Sequence, residues 1–327
     1  MDTEKIEAKN AKDLTELGIE LGAYFNPIGN FSLLPTTDGH WLAVFRRFQY
    51  YIEGDRYFYC SSPQMFYKDR HEHLFAMLDM DFNLVEKIGN FGSTYYDAPE
   101  WKTQYDYGGK SPFLEDARFT YWKGDGIYLT SAIYWYDESG KKNWSVEIQK
   151  VSFIGNGIFA RHHWNSLEHN IRGVQKNWMS VPDRPGVFVI GTSTNGARAI
   201  DIGTDEVKDI GDFDPDDLYC GNANLMEVDG GYMAITHRYF HGVRGRRTYH
   251  NFVVQYDKSL KPVKISNPFK LCDEGIEFIT WWQMDGDDVL IGVTEMDDKP
   301  MVMRLGWREF LRRVNMIENE VKSDDVQ

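Results

Sequence analysis

The sequence is poor in cysteine, and the cysteines it has form no pairing motif. There are three, Cys60, Cys220 and Cys272, which is an odd number without CxxC spacing. A disulfide-stapled secreted scaffold and a structural zinc site both need closely spaced cysteine pairs, so the sequence predicts neither. Reduced thiols are expected.

Long apolar segments are also lacking. No apolar run reaches the about 18 residues that a membrane-spanning helix needs. Residues 1–16 are charged where a secretory signal would be apolar. We therefore expect a soluble protein without a membrane span that remains in the cytoplasm, the compartment where it is made.

The chain has fewer basic than acidic residues. The chain has 36 Lys and Arg against 50 Asp and Glu, which gives a formal net charge of −14. A field of this sign repels polyanions, so nucleic acid is not expected as a partner. The one basic run, Arg244-Gly245-Arg246-Arg247, is interpreted as a solvated turn or as a clamp on a phosphate group. The sequence does not indicate an oligomeric state.

Histidines that lie near one another do not have the spacing of metal ligands. The sequence therefore predicts no metal site and no organic cofactor. The histidines considered are His71, His73, His162, His163 and His169.

Aromatic residues and glycine are plentiful, at 15% of the chain and 29 residues. This mixture is typical of many short strands joined by tight turns. One unit, a turn containing glycine followed by an alternating apolar strand, occurs five times. The five turns are residues 37–40, 123–126, 183–186, 229–231 and 285–288.

A second unit, a strand, a polar turn and another strand, accompanies some of these copies. It occurs at residues 78–85 and 256–263, with a degenerate copy at 200–207. Repeated small antiparallel sheets arranged around an axis leave only short edges exposed. The sequence therefore predicts an all-β, five-bladed β-propeller that forms a single catalytic domain over 1–327. A β-sandwich or an irregular all-β domain is the alternative.

Both ends of the chain are predicted to be helical. Residues 3–21 carry Ile6, Leu14, Leu17 and Leu21 partly on one face, with Gly22 ending the helix, so 1–22 is assigned as an N-terminal helix. Residues 307–317 have a helical apolar pattern, and the polar remainder makes 307–327 a C-terminal helix and tail.

The propeller prediction also locates a site, because the strands nearest the axis bring polar residues to one mouth of the channel. Carboxylates with aromatic rings suit a sugar, and converging cations in an acidic chain suit phosphate. The residues gathered this way are Arg46, Arg47, Glu115, Asp116, Arg118, Lys176, Asn177, Trp178, His237, Arg238, Glu277 and Asp297.

Several short motifs, taken in order, resemble those of the five-bladed propeller proteins of glycoside hydrolase family 130. The resemblance covers roughly residues 26–305, with Ala117 where the family has proline. The motifs are Phe25-Asn26-Pro27, Asn30-Phe31-Ser32-Leu33, Glu115-Asp116-Ala117-Arg118, Gln175-Lys176-Asn177-Trp178, His237-Arg238, Tyr249-His250, Gly275-Ile276-Glu277-Phe278 and Asp297.

The resemblance implies an inverting glycoside phosphorylase acting on β-mannosides, with inorganic phosphate or a sugar phosphate as co-substrate. Asp116 would be the general acid, protonating the glycosidic oxygen by way of a sugar hydroxyl. Phosphate or donor would be held by Arg46, Arg47, Arg118, Lys176, His237, Arg238, Tyr249 and His250. Sugar would be bound by Asn30, Ser32, Asn177, Trp178, Glu277 and Asp297.

Three other functions remain open at this point. A β-glycosyltransferase would use an activated sugar donor on the same scaffold. An inverting hydrolase would need a second carboxylate to activate water, for which Glu277 is the candidate. A carbohydrate-binding propeller without activity would need neither, and Asp116 with Arg118 would then be a structural ion pair.

Overall fold

The computed structural model describes residues 3–21, 27–48, 50–53, 56–59, 73–88, 113–136, 142–154, 157–166, 177–192, 196–211, 220–221, 223–241, 247–273 and 275–316. In chain order the elements are β1 (Glu4–Lys5), β2 (Asn10–Asp13), α1 (Leu17–Glu20), β3 (Ile28–Pro35), β4 (Trp41–Arg47), β5 (Tyr50–Glu53), β6 (Arg56–Tyr59), β7 (His73–Leu78), β8 (Leu84–Ile88), β9 (Phe113–Trp122), β10 (Gly126–Tyr136), β11 (Lys142–Ile154), β12 (Gly157–Asn165), β13 (Met179–Ser180), β14 (Val187–Thr192), β15 (Gly196–Asp201), β16 (Glu206–Gly211), β17 (Cys220–Gly221), β18 (Met226–Val228), β19 (Gly231–His241), β20 (Arg247–Asp257), β21 (Pro262–Ile265), β22 (Phe269–Lys270), β23 (Glu277–Asp285), β24 (Asp288–Glu295), β25 (Lys299–Gly306) and α2 (Trp307–Arg313).

These strands form a five-bladed β-propeller, as predicted. Blade 1 is the sheet β3-β4-β7-β8, blade 2 is β9-β10-β11-β12, and blade 3 is β13-β14-β15-β16. Blade 4 is built on β19 and β20, with β17 and β18 on one side and β21, β22 and β1 on the other. Blade 5 is β23-β24-β25-β2. The hairpin β5-β6 is a separate small sheet inserted between β4 and β7.

All five predicted glycine turns join an inner strand of a blade to the next strand; these inner strands are β3, β9, β13, β18 and β23. Gly230 and Gly286 illustrate the reason, with φ of 81° and 63° in the left-handed region that a side chain disfavours. The second predicted unit is the outer hairpin of a blade, where Asp79 and Asp257 each accept a bond from the backbone N–H two residues on. Local turn chemistry therefore sets the strand boundaries.

The prediction of an N-terminal helix is wrong over most of its length, because only Leu17–Glu20 is helical. β1 pairs in parallel with β22 at the edge of blade 4, and β2 pairs with β25 as the outermost strand of blade 5. The apolar residues Ile6 and Leu14 are buried against the blades instead of sharing a helix face. The unpaired outer edges of two blades accept this segment.

The C-terminal helix is confirmed at Trp307–Arg313, and residues 317–327 lie outside the described part of the chain. Its buried residues Phe310 and Leu311 pack into the cluster between blades 4 and 5. No helix within the described ranges has the length and apolar character to cross a membrane.

Each blade packs on its neighbours through a hydrophobic cluster. Burial of apolar surface is the main favourable contribution to folding, so the blade interfaces form the core of the protein. Representative pairs, from the interface of blades 1 and 2 around to that of blades 5 and 1, are Val44 with Phe119, Trp122 with Phe188, Val189 with Ala234, Ile235 with Ile279, and Phe31 with Trp281.

Hydrogen bonds between the inner strands also join the blades in a closed ring. The residue Asn224 of blade 4 contributes most, because its Nδ2 reaches past blade 3 to donate to Phe119 O of blade 2 at 2.7 Å. The bonds of the ring are Thr280 Oγ1 to Phe31 O, Phe119 N to Ser32 Oγ at 3.1 Å, Thr120 Oγ1 to Ser180 Oγ at 3.0 Å, Ser180 N to Asn224 Oδ1 at 3.3 Å, and Trp282 Nε1 to Asn224 O at 2.9 Å.

The propeller has two different ends. We call the end that carries the five glycine turns the turn end, and the opposite end, where β3, β9, β13 and β23 begin, the mouth. Because strands alternate in direction, β4 and β19 finish at the mouth and the β24–β25 turn also lies there.

Candidate active site

Asp116 lies on the innermost strand of blade 2, at a β-bulge. The pairing of β9 with β10 shifts between Thr130 and Ala132, so Asp116 and Ala117 together face one partner residue. Asp116 has φ of 53°, a conformation that Asp tolerates better than most residues, and is 4% exposed. Bulges commonly re-aim a side chain beside active sites, and this one directs the carboxylate toward blade 1.

Arg46 of blade 1 holds the carboxylate. Its Nη1 donates to Asp116 Oδ1 at 2.9 Å, its Nη2 donates to Glu115 Oε1 at 3.1 Å, and Asn30 Nδ2 donates to Asp116 Oδ1 at 2.8 Å. All three charged side chains are buried. A buried ion pair adds little net stability because desolvation offsets the attraction, so its effect here is to fix the carboxylate in position.

Arg118 is a second buried cation beside Asp116. Its Nη2 donates to Asn177 Oδ1 of blade 3 at 3.1 Å, and its Cζ lies 5.6 Å from the ring centroid of Phe278 in blade 5. Burial lowers the pKa of Arg118 to about 10, and the charge of Asp116 opposes that shift, so the guanidinium is protonated at neutral pH. Within the described part of the chain its Nε has no hydrogen-bond partner.

Phe278 connects this cation to blade 4. Its ring centroid is 5.1 Å from that of His237, and His237 lies 5.0 Å from Tyr249 on the neighbouring strand. The structure therefore brings together Arg118, Asn177, His237 and Tyr249 from blades 2, 3 and 4. Sequence reasoning did not assign Phe278 to the site, although the motif that contains it was the available signal.

Four predicted site residues share an unusual backbone conformation. Asn30, Asp116, Asn177 and Asp297 have φ of 41°, 53°, 61° and 60°, and they come from blades 1, 2, 3 and 5. Asn and Asp are the side-chain-bearing residues that most readily occupy this region. Left-handed residues of this kind cluster at functional sites, and all four lie at the mouth.

Glu277 is buried at the start of β23, where three donors engage its carboxylate. Leu271 N donates to Oε1 at 3.0 Å, Cys272 N donates to Oε2 at 2.7 Å, and Asn251 Nδ2 donates to Oε1. Burial raises the pKa of Glu277 to about 7, and the two backbone N–H groups oppose that shift. Its contacts tie the segment after β22 to blade 5.

Two predicted sugar-binding residues have packing partners instead. Ser32 Oγ accepts the bond from Phe119 N in the inter-blade ring. The Trp178 ring is 1% exposed and packs 5.5 Å from Trp164 and 5.6 Å from Phe188 in the core between blades 2 and 3. Neither side chain presents a surface to the mouth.

The remaining predicted residues are distributed more widely. Arg238 and His250 form a cross-strand pair on the face of the β19–β20 hairpin opposite His237, where Arg238 stacks on Phe240 at 4.8 Å and His250 Nδ1 contacts Thr3 Oγ1. Arg47 ends β4, paired with Ile28. Lys176 lies outside the described residues, as does the run 244–246.

Asp297 lies in the β24–β25 turn among other carboxylates. Burial together with the charges of Asp297 and Glu295 raises the pKa of Asp298 to about 6. In the described ranges no three His, Cys, Asp or Glu side chains are grouped so that they could hold a metal ion. His71 and His169 lie outside those ranges.

His73 is a buried neighbour of the site that sequence reasoning did not connect with it. It faces Arg46 across β4 and β7, in the interface between blades 1 and 2. Burial, followed by the charge of Arg46, lowers the pKa of His73 to about 4, while Asp116 and Glu115 oppose the shift. The imidazole is therefore neutral at physiological pH.

Comparison with known proteins gives a fold-level result. No protein-family model and no curated protein matches the sequence. Among solved structures, β-1,2-mannobiose phosphorylase from Listeria innocua aligns with a TM-score of 0.53 and 13% identity, over 89% of this chain and 92% of the other.

Two proteins from Leishmania mexicana align similarly. The GDP-Man-dependent mannosyltransferase MPT-1 has a TM-score of 0.55 and 13% identity, over 87% of both chains. The mannose phosphorylase MPT-4, in complex with phosphate ion, has a TM-score of 0.55 and 9% identity, over 89% of this chain and 87% of the other. This chain has the five-bladed propeller fold that these carbohydrate-active enzymes share.

Proposed function

We propose that the protein is an inverting glycoside phosphorylase that transfers a mannosyl group between a β-mannoside and phosphate. The observation that carries the proposal is Asp116, held at the mouth by Arg46 and beside the buried cation Arg118. The two guanidinium groups supply the positive charge that a bound phosphate needs, and once that anion offsets their charge Asp116 can carry the proton for the leaving oxygen.

In the proposed reaction a phosphate oxygen attacks the anomeric carbon from the face opposite the glycosidic bond. The bond between the anomeric carbon and the glycosidic oxygen breaks, and the proton of Asp116 passes to that oxygen by way of a sugar hydroxyl. The products are a sugar 1-phosphate of inverted configuration and the shortened glycan. Phosphate is itself the nucleophile, so the site needs one carboxylic acid and no second base.

The buried polar atoms at the mouth support a polar, anionic ligand. Arg118 Nε and Asn30 Oδ1 have no hydrogen-bond partner among the described residues. Leaving such groups unpaired is unfavourable, and a phosphate oxygen and a sugar hydroxyl would satisfy them. Arg118 also offers the planar geometry that matches phosphate.

The contacts of Glu277 count against a hydrolase. An inverting hydrolase needs a second carboxylate free to activate water, about 6.5–9.5 Å from the acid. Glu277 was the candidate, yet its oxygens are engaged by Leu271 N, Cys272 N and Asn251 Nδ2, and its side chain is buried. Its contacts suit a structural role.

A mannosyltransferase that uses an activated donor is the second candidate. The same cations would hold the phosphate groups of a nucleotide sugar, and the TM-score of 0.55 is equal for MPT-1 and MPT-4. The two reactions differ in their co-substrate, so a direct assay separates them.

The assay incubates the protein with β-linked mannooligosaccharides with and without inorganic phosphate, and with GDP-mannose plus the same acceptors. A phosphorylase forms mannose 1-phosphate only when phosphate is present, detected by phosphorus NMR and mass spectrometry. Elongation from GDP-mannose without phosphate dependence would replace the proposal by the transferase. Release of free mannose without phosphate would establish hydrolysis.

A further inference from the structure

The long hairpin of blade 4 carries a row of aromatic rings that begins inside the candidate site and ends in solvent. Among the described residues, the pairing of β19 with the inner strand β17 ends at His237, while its pairing with β20 continues to His241 and Arg247. The row starts at the buried His237, continues to Tyr249 at 5.0 Å, and reaches Tyr239 another 6.2 Å on. Tyr239 is 44% exposed.

All three rings lie on the face of the hairpin that is turned toward blade 5. Tyr239 is paired directly with Tyr249, and His237 lies two residues before Tyr239, so strand alternation places them together. His237 contacts Phe278 of blade 5, on which Arg118 stacks. The row is therefore continuous with the cluster beside Asp116.

We propose that Tyr239 binds the glycan beyond the two sugars joined by the reacting bond, by stacking on a later sugar ring of the leaving or accepting chain. Tyrosine offers an apolar face for the C–H groups of a pyranose and a hydroxyl at its edge. Tyr249 supports it from the adjacent strand. Tyr239 then favours long glycans over disaccharides. This inference rests on the proposed function, since it takes a mannoside to be the ligand.

Phe240 provides a matched control within the same hairpin. It is 37% exposed, close to the exposure of Tyr239, but it points to the opposite face. There it packs against Arg238 and His250, and its ring is not part of the row. Each alanine substitution removes one aromatic side chain from the same strand, so the comparison tests the face of the hairpin on which the ring lies.

The experiment compares wild type, Tyr239→Ala, Tyr239→Phe and Phe240→Ala. KM and kcat for phosphorolysis are measured with β-1,2-mannobiose and with β-1,2-mannotetraose, and mannotetraose binding is measured by calorimetry without phosphate. We expect Tyr239→Ala to raise KM and weaken binding for mannotetraose by about fivefold, with mannobiose kinetics unchanged. Tyr239→Phe keeps the ring and retains most of the affinity.

Equal effects of Tyr239→Ala and Phe240→Ala, or an equal effect on both substrates, would overturn the inference, as would absence of mannotetraose binding to wild type. The two proposals fail differently. If wild type binds mannotetraose through Tyr239 but releases no mannose 1-phosphate, the Tyr239 inference stands and the phosphorylase proposal fails. If wild type forms mannose 1-phosphate but Tyr239→Ala binds mannotetraose as tightly as wild type does, the phosphorylase proposal stands and the Tyr239 inference fails.

Discussion

The two ends of the propeller use the same residue types for different purposes. At the turn end Asp125 pairs with Lys150 and Tyr128 near solvent, and Asp and Gly shape tight turns. At the mouth Asp116 and Arg46 are buried, and Asn and Asp take the left-handed conformation within or next to inner strands. The solvated charges at the turn end stabilise local turns, whereas the buried charges at the mouth, which are contacted by two or more blades, mark the candidate site.

The largest expected difference between the ends concerns the two aspartates. Asp116→Asn removes the proposed acid and should lower kcat for mannose 1-phosphate formation by about a hundredfold or more. Asp125→Asn makes the same chemical change at the turn end and should leave kcat within about twofold. Steady-state kinetics on both variants checks this, and unchanged turnover in Asp116→Asn would remove Asp116 from the mechanism.

A smaller effect is expected for the arginines of the two ends. Arg118→Gln removes the charged group that we propose binds phosphate and should raise KM for phosphate about tenfold or more. Arg184 stacks on Tyr232 at the turn end, so Arg184→Gln should leave that KM unchanged. The measurement is initial rate against phosphate concentration. If both variants respond alike, the mouth has no special affinity for the anion.

Lowering the pH should reduce the stability of the protein through His73, a buried residue beside the mouth. His73 has its pKa lowered to about 4 from 6.5, so between these values the unfolded chain binds the proton that the folded chain excludes. Stability is thus fully present above pH 6.5 and falls toward pH 4, by about 3 kcal/mol from this residue.

Urea unfolding of wild type at several pH values measures that slope, and His73→Phe should flatten it. A His73→Phe curve parallel to that of wild type would show that other groups govern the acid sensitivity.

The smallest effect is expected at the turn end itself. Gly286 has φ of 63°, and a Cβ added there would meet no atom within 4 Å. Gly286→Ala should therefore cost about 1 kcal/mol through backbone strain alone, and Gly286→Asn should cost less. Denaturant titration reads the stability. Activity should be unchanged, and a loss of turnover in the alanine variant would mean that the two ends are coupled.

How far the sequence predicts this structure depends on whether a feature is local. The glycine turns and the outer hairpins follow from a few adjacent residues, and Asp116 and Arg118 follow from their place at the start of a repeat. The partners Phe278, Asn224 and His73 were not predicted because their contacts join different blades. Glu277 is predicted to bind sugar, and the backbone donors Leu271 N and Cys272 N that engage its carboxylate could not be read from its motif.

The N-terminal error has a similar origin. The four residues of β2 are all exposed and carry no apolar alternation, so no local pattern marks them as a strand. Their pairing with β25 depends on a blade edge nearly 300 residues away in sequence, Asn10 with Arg304. The helical spacing of Leu14, Leu17 and Leu21 corresponds to one short turn of helix, Leu17–Glu20, and only Leu17 of the three lies within it.

The pairing of β2 with β25 has a consequence for the synthesis of the protein on the ribosome. Residues 10–13 leave the ribosome long before residues 299–306 exist, so β2 must wait while four blades and most of the fifth are synthesised. Contacts of such sequence separation form slowly. During translation β1 has no partner until β22 is made and β2 has none until β25 is made, so a nascent chain stalled before β22 should leave residues 4–13 open to limited proteolysis that the finished ring resists.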